Sequence, residues 1–398
     1  MTIYFAIPSL NESKNIEKTL DCIASQNYDG EIKTFVCINQ PEEWWNMPDK
    51  VEICEDNSKT FEIIKNHKSS QNISIIDKWN KGKGWIGKAH GVGHARHTLF
   101  AEIDKIAKND DIIISMDADT IFNENYVKSI VENFERNRDI LAISVPYYHP
   151  ISGNDDVDSA MLRYEIYMRN YAIEMLRIDS PFAYTALGSA IAFKLSSYKK
   201  IGGFTPVKSG EDFYFLQQLR KVGKLAVWND EKVYPGTRFS DRVYFGTGPA
   251  MIKGNEGNWE SYPIYHRSLF LKILEVYDNI DRLFEGNLEK KFDFLNFLNQ
   301  HFKTEDFIKP LRKNFKNLKQ FRRAFHTKVD GLRILQYLKN RQAELQIDDS
   351  FALQDNLKEY NFGKNINLNK LENLVEIRDF LVEIESELLK KKQILSFA

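Results

Sequence analysis

The feature that most constrains the fold is an alternation of short apolar runs with helical patterns over the first 145 residues. The runs lie at 3–7, 32–38, 73–76, 112–116 and 140–145. Between them, apolar residues recur at helical spacing, as at Ile16, Leu20 and Ile23. Strands separated by helices predict βαβ units and an α/β fold with a mostly parallel sheet flanked by helices. Such sheets bind ligands at the carboxyl ends of their strands.

Two carboxylates follow the fourth of these runs. The segment DIIISMDADT ends in Asp117 and Asp119, with Ala118 between them. In a strand, residues i and i+2 point to the same side, so the two like charges repel unless a cation or a polar ligand balances them. Oxygen ligands of this kind suit Mg²⁺ or Mn²⁺, and the natural ligand of such an ion is a diphosphate. The alternative is a loop that simply begins with Asp.

Other polar residues fall at the ends of neighbouring runs. Pro8, Leu10 and Glu12 follow the first run, and Asn39 follows the second. We therefore expect these segments to converge with the carboxylate pair on one crevice.

A glycine-rich loop follows the third run. It contains Lys83 and Lys88 between several glycines, which allow a close approach of the backbone to a ligand. The loop is interpreted as facing phosphate groups, and the alternative is a flexible exposed loop.

Two later motifs concern the reacting groups. In GSAIAF, Gly188 and Ser189 allow a substrate to approach the backbone, which makes them candidate acceptor contacts. Glu211 and Asp212 open a helical pattern. Carboxylates in a first helical turn are favoured by the helix dipole, so simple capping is one interpretation. The other is a general base that takes a proton from an attacking hydroxyl.

Together, PSLNE, the Asp-x-Asp after a buried strand, GSAIAF followed by GGF, and a Gly-Glu-Asp at a helix start resemble the GT-A fold glycosyltransferases, most closely glycosyltransferase family two. The resemblance covers about residues 3 to 250. It implies a nucleotide-sugar donor and a divalent metal, Mn²⁺ or Mg²⁺. It also implies transfer of the sugar to a hydroxyl of a glycan or lipid-linked acceptor.

The resemblance extends to single residues. Asp117 and Asp119 match the pair that holds the metal and the donor, and Asp212 matches the base of inverting members. Pro8, Leu10 and Glu12 match the segment that lines the nucleotide, and Asn39 stands where the family often has Asp. The Gln-x-x-Arg-Trp of the processive synthases is not found after the Glu-Asp segment, which favours addition of one or a few sugars.

Three further residues complete the predicted site. Arg238 and Arg242 lie between two glycines in a segment that we interpret as a loop closing over the donor, because guanidinium groups suit bidentate phosphate contacts. An Arg–Asp pair that holds a turn is the alternative. His266 is a candidate third metal ligand, by analogy with a C-terminal His in some GT-A enzymes.

The domain prediction follows from a change in composition. Residues 1–267 are predicted to form the catalytic domain, with a nucleotide-sugar half at 1–145 and an acceptor half at 146–267. Beyond 268 glycine is scarce and a helical region, 268–398, is expected. Between 309 and 341 there are eleven Lys and Arg and one carboxylate, Asp330. This pattern indicates either a basic amphipathic helix on an anionic membrane or a solvated basic face whose apolar stripe packs on the domain.

Composition and charge restrict the possible partners and the location of the protein. A net charge of −1 predicts no nucleic-acid partner, and no run approaches the roughly 18 apolar residues of a membrane span. Three cysteines without a CxxC pattern favour a cytoplasmic protein, with the basic segment at the inner face of the membrane in the first interpretation above. Two other functions are compatible with parts of this pattern: a non-catalytic nucleotide-sugar-binding scaffold and a sugar nucleotidylyltransferase. The second is disfavoured because IPSLNE has no glycine where those enzymes carry a glycine-rich loop.

Overall fold

The structure is a computed structural model that describes residues 1–207, 209–240, 246–286 and 291–397. The chain divides into two compact units. The first contains Met1–Met161 and Thr185–Lys253, and the second contains Leu162–Tyr184 and Gly254–Ala398. Residues 162–184 and 254–267 therefore belong to the second unit, although the sequence prediction assigned them to the catalytic domain. The extent of the catalytic domain stays a prediction.

The first unit is built on a mixed sheet. Its strands lie in the order β8-β6-β7-β4-β1-β2-β3. Their bounds are β1 Ile3–Ser9, β2 Ile32–Asn39, β3 Ile73–Lys78, β4 Ile112–Ser115, β6 Ile140–Ser144, β7 Ile191–Lys194 and β8 Lys224–Ala226. A separate antiparallel pair joins β5 Ile121–Phe122 to β9 Val233–Tyr234.

The register of the sheet brings the predicted site residues to one edge. Strands β1, β2, β3 and β4 pair in parallel, so their carboxyl ends lie at the same edge. Strand β7 runs antiparallel between β4 and β6, and Ile191 pairs with Ser115. The segment that precedes β7, with Gly188 and Ser189, therefore reaches the same edge as the segment that follows β4.

Helices flank this sheet, as predicted, and helix α3, Val92–Asp104, packs on β1 and β2. The helices of the first unit are α1 Ile16–Ala24, α2 Val51–Asn66, α3 Val92–Asp104, α4 Tyr126–Arg136, α6 Leu195–Lys200 and α7 Glu211–Val222. Two more, α5 Asp155–Arg177 and α8 Thr247–Asn255, begin in the first unit and end in the second. The α/β fold class expected from the sequence is confirmed.

The second unit is helical. Its helices are α9 Arg267–Tyr277, α10 Ile280–Glu285, α11 Asp293–His301, α12 Ile308–Asn314, α13 Leu318–Lys328, α14 Gly331–Leu345, α15 Asp349–Asn356 and α16 Leu371–Lys392, followed by the short strand β10 Ile394–Leu395. Its core contains Leu162 and Ile166 from α5 and Ile377 and Leu381 from α16.

A buried ionic network also ties α5 to α16. Arg169 contacts Glu165, at 2.6 Å, and Glu385, while Arg378 lies 3.4 Å from Glu165. All four side chains are at least 95% buried. Since removal of one partner from such a network leaves an uncompensated buried charge, the network fixes the pairing of the two helices.

The basic segment differs from a single amphipathic helix. Helix α12 ends at Asn314 and α13 begins at Leu318, where the Asn317 side chain accepts hydrogen bonds from two backbone N–H groups. Asn is a preferred residue for such a cap, which explains the break. Phe321 and Phe325 are fully buried, so this apolar stripe packs inside the unit. Within the described residues, no helix is both long and apolar enough to cross a membrane.

Candidate active site

The centre of the candidate site is a buried guanidinium that the sequence prediction did not include. Arg96 lies on α3, and its side chain contacts the carboxylates of Asp117 and Glu211. Its Nε donates to the Ser115 hydroxyl at 3.1 Å, and this hydroxyl donates to the Gly188 carbonyl at 2.7 Å. One side chain thus joins the end of β4, the segment before β7 and the start of α7.

Helical periodicity is the sequence signal that could have shown that Arg96 is buried. It shares the buried face of α3 with Leu99, Phe100 and Ile103, at positions i, i+3, i+4 and i+7. A charged residue on such a stripe is costly unless it is paired, so its presence predicts buried carboxylate partners.

Gly188 is the residue that makes room for this guanidinium. A Cβ at position 188 would lie 2.0 Å from Arg96 Nη2. Ser189 beside it is buried. The glycine at 188 is therefore explained by the approach of Arg96, whereas the predicted contact of Gly188 and Ser189 with an acceptor stays a prediction.

Glu211 and Asp212 have different environments. Glu211 is buried and paired with Arg96, while Asp212 is only partly buried and accepts a hydrogen bond from the Phe213 N–H at 2.7 Å. Burial, followed by the charge of Glu211, raises the pKa of Asp212 to about 7 despite the opposing charge of Arg96. A carboxylate of this basicity near neutral pH suits a general base. Glu211 instead holds Arg96.

A second arginine contacts the other predicted donor carboxylate. Arg238 Nη2 lies 2.8 Å from Asp119 Oδ2 and also contacts Glu12. A Cβ at Gly236 would lie 3.0 Å from the Asp119 carboxyl, so the glycine allows this approach. The structure thus brings Glu12, Asp119 and Arg238 together, as the predicted donor site requires. Arg242 lies outside the described residues.

The side-chain amide of Asn39 is held by hydrogen bonds within the protein. Its Nδ2 donates to the Ser9 carbonyl at 2.9 Å and to the Cys37 carbonyl at 3.3 Å, and its Oδ1 accepts from Trp85 Nε1 at 3.3 Å. Both ends of the amide are therefore engaged by the ends of β1 and β2 and by the glycine-rich loop. Pro8 and Leu10, which flank Ser9, are partly exposed at this edge.

The two lysines of the glycine-rich loop are exposed. Lys83 lies 2.9 Å from Asp77, and the loop is held by Glu42, whose carboxylate accepts from the N–H groups of Gly82 and Gly84. Lys88 lies further along the same loop. Their predicted contact with a donor diphosphate stays a prediction.

The two donor-side carboxylates have the chemistry that the implied metal requires. Asp117 and Asp119 offer carboxylate oxygens, which fit Mg²⁺ or Mn²⁺ bound through one or two carboxylates together with substrate phosphates. In the part of the chain that the structure describes, no group of three His, Cys, Asp or Glu side chains is placed to hold a metal by itself. The residues fit an ion that is shared with the donor.

His266 lies in the second unit, where it caps α9. Its Nδ1 accepts from the Ser268 N–H, and its Nε2 lies 3.0 Å from Asp355. Both ring nitrogens already have partners, so a metal would have to displace Asp355. The role of His266 as a metal ligand stays a prediction.

Comparison with known proteins identifies the family. The profile described as Glycosyl transferase family 2 matches residues 4–202. The chain belongs to glycosyl transferase family 2. This family 2 chain is therefore a glycosyltransferase, as the resemblance had implied.

Solved structures to which this chain is similar include three transferases. S. aureus TarS in complex with UDP-GlcNAc is 14% identical, with a TM-score of 0.40 over 99% of this chain and 93% of that one. The mannosyltransferase PcManGT from Pyrobaculum calidifontis, in complex with GDP-Man and Mn²⁺, is 12% identical, with a TM-score of 0.38 over 98% and 87%. Glucosyl-3-phosphoglycerate synthase from Mycobacterium tuberculosis is 15% identical, with a TM-score of 0.36 over 64% and 80%. No curated protein matches the sequence.

Proposed function

We propose that this chain is a metal-dependent, inverting and non-processive glycosyltransferase. It moves a sugar from a nucleotide-sugar donor to a hydroxyl of a glycan or lipid-linked acceptor. Asp117 and Asp119 bind the donor through the metal, and Asp212 accepts the proton of the acceptor hydroxyl.

The observation that carries the proposal is the position of Arg96. Its guanidinium contacts Asp117, at the donor carboxylate pair, and Glu211, which adjoins Asp212. The charges of Asp117 and Glu211 both raise the pKa of Asp212, after the larger effect of burial. The donor carboxylates and the candidate base therefore belong to one electrostatic site.

In the proposed reaction, Asp212 takes the proton of the acceptor hydroxyl as that oxygen attacks the anomeric carbon. The bond from this carbon to the acceptor oxygen forms while its bond to the donor diphosphate breaks. Attack from the face opposite the leaving group inverts the anomeric configuration. The nucleoside diphosphate leaves with the bonding electrons, and the proton stays on Asp212.

The leaving diphosphate needs positive charge near it. Asp117 and Asp119 would hold Mg²⁺ or Mn²⁺, which supplies Lewis-acid stabilisation of the leaving group. Arg238, Lys83 and Lys88 are the side chains of this chain that we assign to the phosphates, because guanidinium and ammonium groups stabilise phosphate oxygens.

We assign Arg96 a positioning role, since it contacts carboxylates on both sides of the site. Arg96→Lys keeps the positive charge but loses the planar guanidinium group that can contact two carboxylates at once. We expect this variant to lower kcat more than it raises the donor KM, because the start of α7 loses its fixed place. A purely structural role would instead lower the yield of folded protein and leave the kinetic constants of the folded fraction unchanged.

The proposal is tested by thermal stability against a panel of UDP-, GDP-, CMP- and dTDP-sugars, with and without Mn²⁺. A ligand that binds only the native state stabilises it by about 2.7 kcal/mol at 100 times its Kd. We expect a metal-dependent rise in Tm for one nucleotide, and loss of this rise in Asp119→Asn. No rise with any donor in folded protein would contradict the proposal. Binding without sugar transfer to any acceptor would favour the non-catalytic scaffold.

A further inference from the structure

Most basic residues of segment 309–341 of the second unit fall into two classes. The partly buried arginines are used within the unit: Arg312 lies 3.3 Å from Asp306, Arg322 lies 2.6 Å from Asp281, and Arg341 lies 2.9 Å from Asp293. These guanidinium groups therefore hold helices together and contribute little charge for an outside partner.

The second class is exposed and forms what we call the basic face. Its members lie on α12, on the first half of α13 and in the turn between the two helices, and they are Lys309, Lys313, Lys316, Lys319 and Arg323. All five are exposed, and none forms an ion pair with a carboxylate among the described residues. Helices α12 and α13 pack against each other, so these charges belong to one compact part of the unit.

The chemistry of this face identifies its partner. Four of the five cations are lysines, whose ammonium groups act as point charges on flexible side chains. They lack the planar guanidinium group with which arginine binds a single phosphate in a bidentate manner. Among the described residues of 303–341, no large apolar side chain is exposed. The face therefore has neither an aromatic platform for stacking on bases nor an apolar wedge for insertion into lipid. What it fits is a fluid surface of negative charge.

We propose that the basic face docks this protein on an anionic lipid bilayer by charge alone, without insertion of the helices. This inference goes beyond the proposed function, because it rests on the second unit only and does not require catalysis. Since charges separated by more than about 8 Å are screened at physiological ionic strength, docking must be reversible by salt.

The test uses the full chain and two kinds of vesicle. One is pure phosphatidylcholine, and the other also contains roughly 30% phosphatidylglycerol, which gives a charge density on the order of that of an anionic leaflet. The face variant replaces Lys313, Lys316, Lys319 and Arg323 by Gln. The control variant replaces four exposed lysines elsewhere by Gln, and these are Lys59, Lys65, Lys108 and Lys391. Both variants change the net charge by the same amount, and their Tm values establish that they fold.

We expect the wild type and the control variant to sediment with anionic vesicles at low salt and not with neutral ones. Each cation near an anionic surface contributes roughly fivefold in affinity, so the face variant should bind on the order of several hundred times more weakly. High salt should release the wild type. Absence of binding to anionic vesicles at low salt overturns the proposal, as does equal binding by the face variant. Binding to soluble heparin but not to vesicles also overturns it and assigns the face to a polyanionic chain.

Discussion

Asp212→Asn should make the protein more stable at alkaline pH while removing its activity. In the folded protein, burial and the neighbouring Glu211 charge raise the pKa of the Asp212 carboxyl from 3.8 to about 7. The folded state therefore holds a proton on this group between these two pH values, whereas the unfolded state does not. As a result, the contribution of Asp212 to stability is present below about pH 4 and is lost as the pH rises through about 7.

The magnitude follows from the size of this rise. One pH unit corresponds to about 1.4 kcal/mol, so a rise of about three units corresponds to an upper limit of about 4 kcal/mol. Asp212 is partly exposed to solvent, which screens its charge, and we therefore expect a gain of about 1–3 kcal/mol for the neutral Asn variant at pH 8. The gain should shrink as the pH falls through 7 and vanish near pH 4.

The assay is urea unfolding of the wild type and the variant at pH 4, 6, 7 and 8. Asp110→Asn is the matched control, because Asp110 is an exposed carboxylate and its replacement removes the same charge. The activity of the wild type should fall about tenfold per pH unit below 7, since a base must be unprotonated to accept a proton. A variant that is less stable than the wild type at pH 8, or a stability difference that does not depend on pH, would refute this reasoning.

Three further substitutions test the packing of the site and of the second unit. Gly188→Ala should lower the free energy of unfolding by about 1–3 kcal/mol, because the added Cβ overlaps Arg96, and Gly363→Ala, which meets only one atom at 4.0 Å, is its control in the same urea titration. Asn39→Asp should cost about 1–3 kcal/mol at neutral pH, because it places a carboxylate against two strand carbonyls that now accept hydrogen bonds; an unchanged midpoint in urea would show that the amide is dispensable. Arg169→Met should cost about 3–5 kcal/mol, because buried Glu385 loses its arginine partner and Glu165 keeps only Arg378, and calorimetric unfolding at the wild-type Tm would contradict this expectation.

Most of the sheet was predictable from hydrophobic pattern. The runs at 3–7, 32–38 and 112–116 correspond to β1, β2 and β4, because strands buried on both faces consist of nearly continuous apolar residues. The direction of β7 was not predictable, since a short apolar run carries no information about its partner. That direction is what brings Gly188 beside Ser115.

The carboxylates of the site were also visible in the sequence, but their partners were not. Asp117, Asp119 and Asp212 stand in short motifs, whereas Arg96 lies 21 residues before Asp117 and 115 before Glu211. Contacts between such distant residues depend on the tertiary fold. The packing of the basic segment was likewise not predictable. Its charge was evident from the sequence, but only the burial of Phe321 and Phe325 shows that its apolar stripe is not available to a membrane.

The most direct test of the account is the release of nucleoside diphosphate from the donor that the thermal panel identifies. It should be measured alongside donor binding in the wild type, Asp212→Asn and Asp119→Asn. We expect Asp212→Asn to bind donor with an unchanged rise in Tm but to release product at least about 100 times more slowly, because it lacks the general base. Asp119→Asn should lose both binding and release. Normal release by Asp212→Asn, or equal loss of donor binding in the two variants, would contradict the separation of donor and acceptor roles on which the account depends.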